Sequence, residues 1–196
     1  MNKSTRGNGI LEPFLASQRA KKANHLIPSH LRDGRILDIG CGTYPYFLSH
    51  TSFKEKFAID QSPQPLELGH DIQWLSIDIE SEPHLPYEDE FFQAVTMLAV
   101  AEHLNPLSLI SLFQEANRVL VPGGVLAITT PAAWSNEILK VMARLSLVSK
   151  EEIDEHVFAY TLPLLGWSFG RAGFEMAKIK FGYFELWLNL WAVAEK

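Results

Sequence analysis

Aspartates, glycines and two histidines are the residues of this chain whose types and spacing could do chemistry. In Asp38-Ile-Gly-Cys-Gly42 a carboxylate follows the apolar pair Ile36 and Leu37, and two glycines come directly behind it. Gly40 and Gly42 would let the backbone turn sharply and approach a ligand without Cβ interference. Asp38 would then stand at the carboxyl end of a strand, where open α/β sheets bind their ligands. Asp60, twenty residues after Gly40, closes a second apolar run, Phe57-Ala-Ile59, and is placed to accept hydrogen bonds from ribose hydroxyls. The ligand implied is nucleotide-like.

Which nucleotide follows from what is missing. A dinucleotide seats its pyrophosphate on free backbone N–H groups at a helix N-terminus, normally with a third glycine where this chain has Pro45. Proline removes a donor there. A cofactor without phosphates would not miss it, and a sulfonium cofactor would gain from Asp38 and from the faces of Tyr44, Tyr46 or Phe47.

The elements that must position these residues alternate along the chain. Residues 1 to 9 are polar and glycine-containing and read as a frayed start; a helix is expected over 13–27, with Pro13 in its first turn and Pro28 beyond its end. Ile36, Leu37 and Ile39 form the first strand, bounded by Gly34 and Gly40. A short crossover helix over 46–54, strands at 57–60 and 74–78, and an exposed, solvated acidic loop over 80–90 follow. The strand 94–98 precedes Asn105-Pro106, an N-cap and first-turn proline for a helix whose Leu107, Ile110, Phe113, Ala116, Val119 and Leu120 share a face. Pro122-Gly-Gly124 ends that helix. A strand over 125–129, an amphipathic helix over 134–148, a helix over 161–172 closed by Gly173, and two strands at 176–181 and 186–194 complete the pattern. Such alternation predicts a doubly wound α/β sheet.

Composition bounds the answer. The 196 residues, 47% of them hydrophobic, suffice for one domain with a full core. A net charge of −6 argues against a nucleic-acid partner, because phosphate binding relies on clustered Lys and Arg. The lone Cys41 excludes an internal disulfide and a Cys-based zinc cluster and fits a reducing cytoplasm; no metal ligand set is assigned. No run reaches the roughly 18–20 apolar residues that span a bilayer, so no stable membrane insertion is expected.

With these residues in place, the chain resembles the class I S-adenosylmethionine-dependent methyltransferases, whose first motif reads like Leu37-Asp-Ile-Gly-Cys-Gly-Thr43. The likeness continues through Asp78-Ile79, Leu85-Pro-Tyr-Glu-Asp-Glu-Phe-Phe92, Ala101-Glu-His-Leu104, Leu120-Val-Pro-Gly-Gly124 and the span from His156 to Phe174. Two departures stand out: Tyr44 where the family often has a third glycine, and Gln93 where it usually has aspartate. The resemblance implies a Rossmann-like three-layer sandwich with a seven-stranded, mostly parallel sheet and an antiparallel last strand. It implies S-adenosyl-L-methionine as cofactor and S-adenosyl-L-homocysteine as product. It also implies a cofactor site of Asp38, Gly40, Cys41, Gly42, Asp60, Gln61, Asp78, Ile79 and Leu98, with Asp78-Ile79 against the adenine. The whole of 1–196 would be one methyltransferase domain, with an N-terminal cap helix within 1–30 and a lid insertion over 131–160.

Methyl transfer needs alignment and dry surroundings more than a catalytic side chain. A base is required only for a protonated acceptor, and His103 and His156, at the cleft or under its lid by the resemblance, are the candidates. Each residue also has a plainer reading. The aspartates could cap turns, Cys41 could be a small buried residue, Glu102 and His103 could satisfy loop backbone, and Tyr44, Tyr46, Trp134, Trp187 and Trp191 could be core or cleft packing. The lid helix, apolar at Trp134, Ile138, Met142 and Leu145, could cover a small-molecule acceptor, pack in a homodimer or touch a membrane surface. Two other functions share these features. A nicotinamide-dependent oxidoreductase or epimerase would also use the loop and Asp60 but should keep a glycine near position 45, and a non-catalytic binding module could share the fold.

Overall fold

The computed structural model describes residues 9–66, 68–81 and 84–196. Seven strands form one sheet: β1 (Arg35–Ile39), β2 (Glu55–Asp60), β3 (Ile72–Ser76), β4 (Phe92–Leu98), β5 (Leu120–Pro131), β6 (Ile179–Phe184) and β7 (Asn189–Glu195). Their order is β3-β2-β1-β4-β5-β7-β6, with β7 antiparallel to both of its neighbours and β1 to β5 parallel. This is the doubly wound sheet that the alternation predicts, with the seven strands and reversed last strand that the resemblance implies.

Six α-helices accompany it among the described residues: α1 (Glu12–Leu26), α2 (Tyr46–Ser49), α3 (Pro106–Val119), α4 (Asn136–Arg144), α5 (Lys150–Asp154) and α6 (Leu162–Arg171). The period of two along each strand divides the core into two layers. Leu37, Ile39, Val95, Met97, Leu126 and Ile128 pack with Leu109, Leu112 and Phe113 of α3 and Leu165 and Phe169 of α6. On the other face Ile36, Ala58, Ala94, Val125 and Ala127 meet Ala20 and Ala23 of α1 and Phe47 and Leu48 of α2. Alanines on both sides of that second layer let α1 lie close to the sheet. Each large side chain buried this way contributes about 1.5–3 kcal/mol relative to exposure.

Asn105 caps α3 as its sequence position predicts: its side chain accepts from the backbone N–H of Leu107 and Ser108. Elsewhere the elements shift. The single helix expected over 134–148 is a 3-10 turn, Ala133–Ser135, followed by α4, which stops at Arg144. A Schellman motif ends it: Leu147 N donates to Met142 O, Ser146 N donates to Ala143 O, and Ser146 is left-handed at φ 56. The strand expected at 176–181 begins at Ile179, because Met176–Lys178 form a 3-10 turn. Pro122-Gly-Gly124 does not terminate α3, which ends at Val119; it lies within β5, where the β4–β5 register shifts.

The acidic loop is not merely solvated. Leu85 is buried, its N–H donates to Glu115, and Arg118 donates to the carbonyls of Leu85 and Tyr87. Tyr87 packs edge-on against Phe57 and Phe92, so the apolar residues between the carboxylates anchor the loop. Gln93, the departure from the family pattern, accepts a hydrogen bond from Arg35 N and so ties β4 to the start of β1. Among the described residues no helix is long and apolar enough to cross a membrane.

Candidate active site

The carboxyl ends of β1, β2 and β4 open on a cavity of about 990 Å³, near the upper end of the roughly 300–1,000 Å³ typical of small-molecule sites. Asp38, Gly40, Cys41, Gly42, Asp60, Gln61, Asp78, Ile79, Leu98, His103 and His156, the site residues expected from the sequence, all line it.

The glycine loop is built by hydrogen bonds to β2. Gly40 N and Cys41 N donate to Ile59 O at 2.7 and 3.3 Å, and Gly42 N donates to Asp60 Oδ2 at 2.8 Å. Gly40 has φ 70, and a Cβ there would lie 2.5 Å from Val100, so conformation and space both require glycine. Asp60 also accepts from Ser62 N at 2.9 Å, so its carboxylate shapes the loop before any ligand arrives. Asp78 lies two residues beyond β3 rather than closing it, and accepts from Glu80 N in a local turn. The third-glycine positions are occupied by Tyr44 and Pro45, and α2 is a single turn opening behind that proline.

Asp38 is 3% exposed and faces Thr96 across the β1–β4 pairing, whose hydroxyl donates to Oδ1 at 2.6 Å. Burial pushes the Asp38 carboxyl up to about 7; the Thr96 hydrogen bond opposes this and the nearby Asp60 adds to it. The Thr96 hydroxyl also lies 3.3 Å from Leu37 O. It can therefore donate to an ionised Asp38, or accept from a protonated one while donating to the carbonyl.

After Leu98 the chain turns through Ala99, left-handed at φ 59, and into a 3-10 turn, Ala101–His103. Glu102 is 3% exposed, accepts from the Thr130 hydroxyl at 2.9 Å through its side chain, and accepts from Val157 N and Phe158 N through its carbonyl. Those bonds bring His156 beside His103, with ring centroids 5.3 Å apart and planes edge-to-face. Burial pushes the His156 imidazole below its ordinary value, His103 adds to this, and Glu102 and Glu155 oppose it.

The rest of the wall comes from α1, α4 and the β6–β7 turn. Phe14, Arg19, Lys22 and His25 enter from α1, Leu139 and Met142 from α4, and Phe184, Glu185, Leu186 and Asn189 from the turn. Lys22 lies 4.4 Å from the Trp191 ring centroid, and burial lowers its ammonium. Burial raises the Glu185 carboxyl against the pull of Arg19 and Asn189. The apolar face expected of α4 is divided: Met142 lines the cavity, while Trp134, Ile138 and Leu145 are exposed, as is Trp187. Trp134 and Trp187 are therefore not core packing.

Sequence reasoning missed Thr96, Thr130, Arg19, Lys22 and Glu185. A threonine inside the apolar run 94–98 was a signal for the first, since it stands opposite Asp38. The others depend on tertiary placement.

A model of a methyltransferase domain family matches residues 13–179. No curated protein sequence matches the chain significantly. Among solved structures, a methyltransferase from Archaeoglobus fulgidus described as SAM-dependent is similar at TM-score 0.69 and 16% identity, over 92% of this chain and 94% of that one. An S-adenosylmethionine-dependent methyltransferase from Mesorhizobium loti is similar at 0.68 and 17%, over 93% and 100%. The phosphoethanolamine N-methyltransferase 2 of Haemonchus contortus, solved with S-adenosyl-L-methionine, is similar at 0.65 and 15%, over 92% of this chain and 52% of that one. Identities this low speak to the fold, whereas the family match spans well over half of the sequence: the chain belongs to the methyltransferase domain family.

Proposed function

We propose that this chain transfers the methyl group of S-adenosyl-L-methionine to a small-molecule acceptor held between α1, α4 and the β6–β7 turn. The observation that carries this reading is the pairing of a buried Asp38 with a glycine loop whose shape is set by Asp60. Ionised Asp38 favours a cationic cofactor, and Asp60, at the end of β2, would accept from ribose hydroxyls. Asp78 and Ile79 would flank the adenine, and Cys41, Gln61 and Leu98 would complete the cofactor wall. The absence of a glycine at 44 or 45, and a one-turn α2 behind Pro45, favour a cofactor without a pyrophosphate.

In the reaction the acceptor's lone pair attacks the methyl carbon in line, and the C–S bonding pair returns to sulfur, leaving neutral S-adenosyl-L-homocysteine. Positive charge leaves the sulfonium, so the protein contributes mainly alignment and exclusion of water. Segment 131–160 would serve as the lid, with α1 as the second cover. Where the acceptor must lose a proton, His103 and His156 are the candidates among the side chains that line the cavity.

Calorimetric titration of the purified chain with S-adenosylhomocysteine, with NAD in parallel, tests the reading. Saturable binding of the first alone is expected. Binding of NAD alone would replace methyl transfer by hydride transfer, and turnover-free binding of S-adenosylhomocysteine across a broad acceptor screen would favour a binding module.

A further inference from the structure

We infer that Glu102, His103 and His156 bind one divalent transition-metal cation at the acceptor side of the cavity. One ligand-capable atom from each lies within 4.8 Å of the others. Bonds to zinc of about 2.0–2.2 Å would place neighbouring donors roughly 3–3.5 Å apart, so the widest pair needs to close by at most about 1.3–1.8 Å. Two imidazoles and a carboxylate suit zinc, manganese, iron(II) or cobalt, and three protein ligands leave coordination positions for another molecule.

The surroundings fit this role. Glu102 is almost fully buried, yet among the described residues no Lys or Arg forms an ion pair with it; the Thr130 hydroxyl is its side-chain partner. A carboxylate taken out of water in this way calls for a cation. Thr130 orients it as an outer partner orients a metal ligand. The Glu102 carbonyl, through Val157 N and Phe158 N, holds the segment carrying His156 against the turn carrying the other two ligands.

The catalytic consequence rests on the methyl-transfer reading. With the cation bound, His103 and His156 would serve as ligands in place of the base role, and an acceptor hydroxyl bound to the cation through oxygen would release its proton to solvent at lower pH. An oxygen lone pair would then attack the sulfonium methyl carbon, and the C–S pair would return to sulfur. The site therefore points to an oxygen acceptor, best one with a second oxygen able to chelate the same ion.

The test uses the untagged 196-residue chain, stripped with chelator and titrated with cobalt(II) chloride by calorimetry and visible absorption. One saturable site is expected, with Glu102→Gln and His156→Ala each weakening it by on the order of tenfold or more. A zinc(II) titration of the wild type, followed by histidine side-chain NMR, should shift two imidazoles and is independent of how well the variants fold. No saturable binding by the wild type, or equal affinity in both folded variants, overturns the site. S-adenosylhomocysteine binding on the same stripped protein separates the readings. Its binding without cobalt binding overturns the metal site alone, and cobalt binding without it overturns the cofactor reading alone.

Discussion

At the β1–β2 end of the cavity the carboxylates are held by short bonds inside the scaffold: Thr96 donates to Asp38 at 2.6 Å and Gly42 N to Asp60 at 2.8 Å. At the β6–β7 end, Glu185 buries one carboxylate oxygen with no hydrogen-bond partner among the described residues. It also begins three consecutive left-handed residues, Glu185, Leu186 and Trp187, at φ 51, 55 and 65. The left-handed positions of the first end are Gly40 and Gly42, which adopt them without cost; those of the second carry side chains and store strain. The first end is a finished mould for one ligand. The second keeps unmet bonding capacity, which suits a site whose partner supplies the missing contacts.

The largest expected effect breaks or confirms the first half of this contrast. Asp38 binds its proton more tightly in the folded state, so its contribution to stability is fully present below the unfolded value near 3.8 and is lost as pH rises through about 7. The loss amounts to about 4 kcal/mol at most. Asp38→Asn should flatten the decline in melting temperature between pH 4 and 7. The same ionisation should make S-adenosylmethionine bind about fivefold tighter at pH 7 than at pH 6, a dependence the variant lacks. Equal profiles for the two proteins would remove Asp38 from the cofactor site.

Asp60→Ala comes next. Loss of charged hydrogen bonds to ribose should weaken S-adenosylhomocysteine binding by about 100-fold, while the orphaned Gly42 and Ser62 N–H groups cost about 1–3 kcal/mol of stability. Unchanged affinity in calorimetry would reduce Asp60 to scaffold. Glu12→Ala tests the α1 side of the cavity, apart from the glycine loop, because Glu12 Oε1 accepts from the buried Ser149 N. Denaturant unfolding should show a cost of about 1–3 kcal/mol, with the acceptor KM raised and S-adenosylhomocysteine affinity kept. Asn105→Ala, a cap outside both ends, should cost about 1 kcal/mol in the same unfolding assay and leave both ligands alone.

The first end was legible in sequence because its information is local: an apolar run, a carboxylate and two glycines report one strand and one loop. Asp60 was legible for the same reason, although its bonds to Gly42 and Ser62 were not. The β5–β7 side was harder. Trp134 to Val148 has helical periodicity throughout, yet the Schellman motif and the tertiary bonds that Ile10, Leu11 and Glu12 make with residues 146, 147 and 149 decide where α4 stops. Periodicity also marked an apolar face at 134, 138, 142 and 145 without revealing that only part of it turns inward. The trio of Glu102, His103 and His156 unites residues more than fifty positions apart, joined by backbone bonds that no local pattern encodes.

The start of α1 is stitched to the segment after α4 by Ile10 N to Ser146 O, Leu11 N to Leu147 O and Ser149 N to Glu12 Oε1. Helix and segment cannot swing aside one at a time without parting these bonds together. Were α1 and this segment the two covers proposed for the cavity, one shared latch would join them, and product escape would be set by how often it springs. Exchange of the Leu11 and Ser149 amides at one common rate would be its signature.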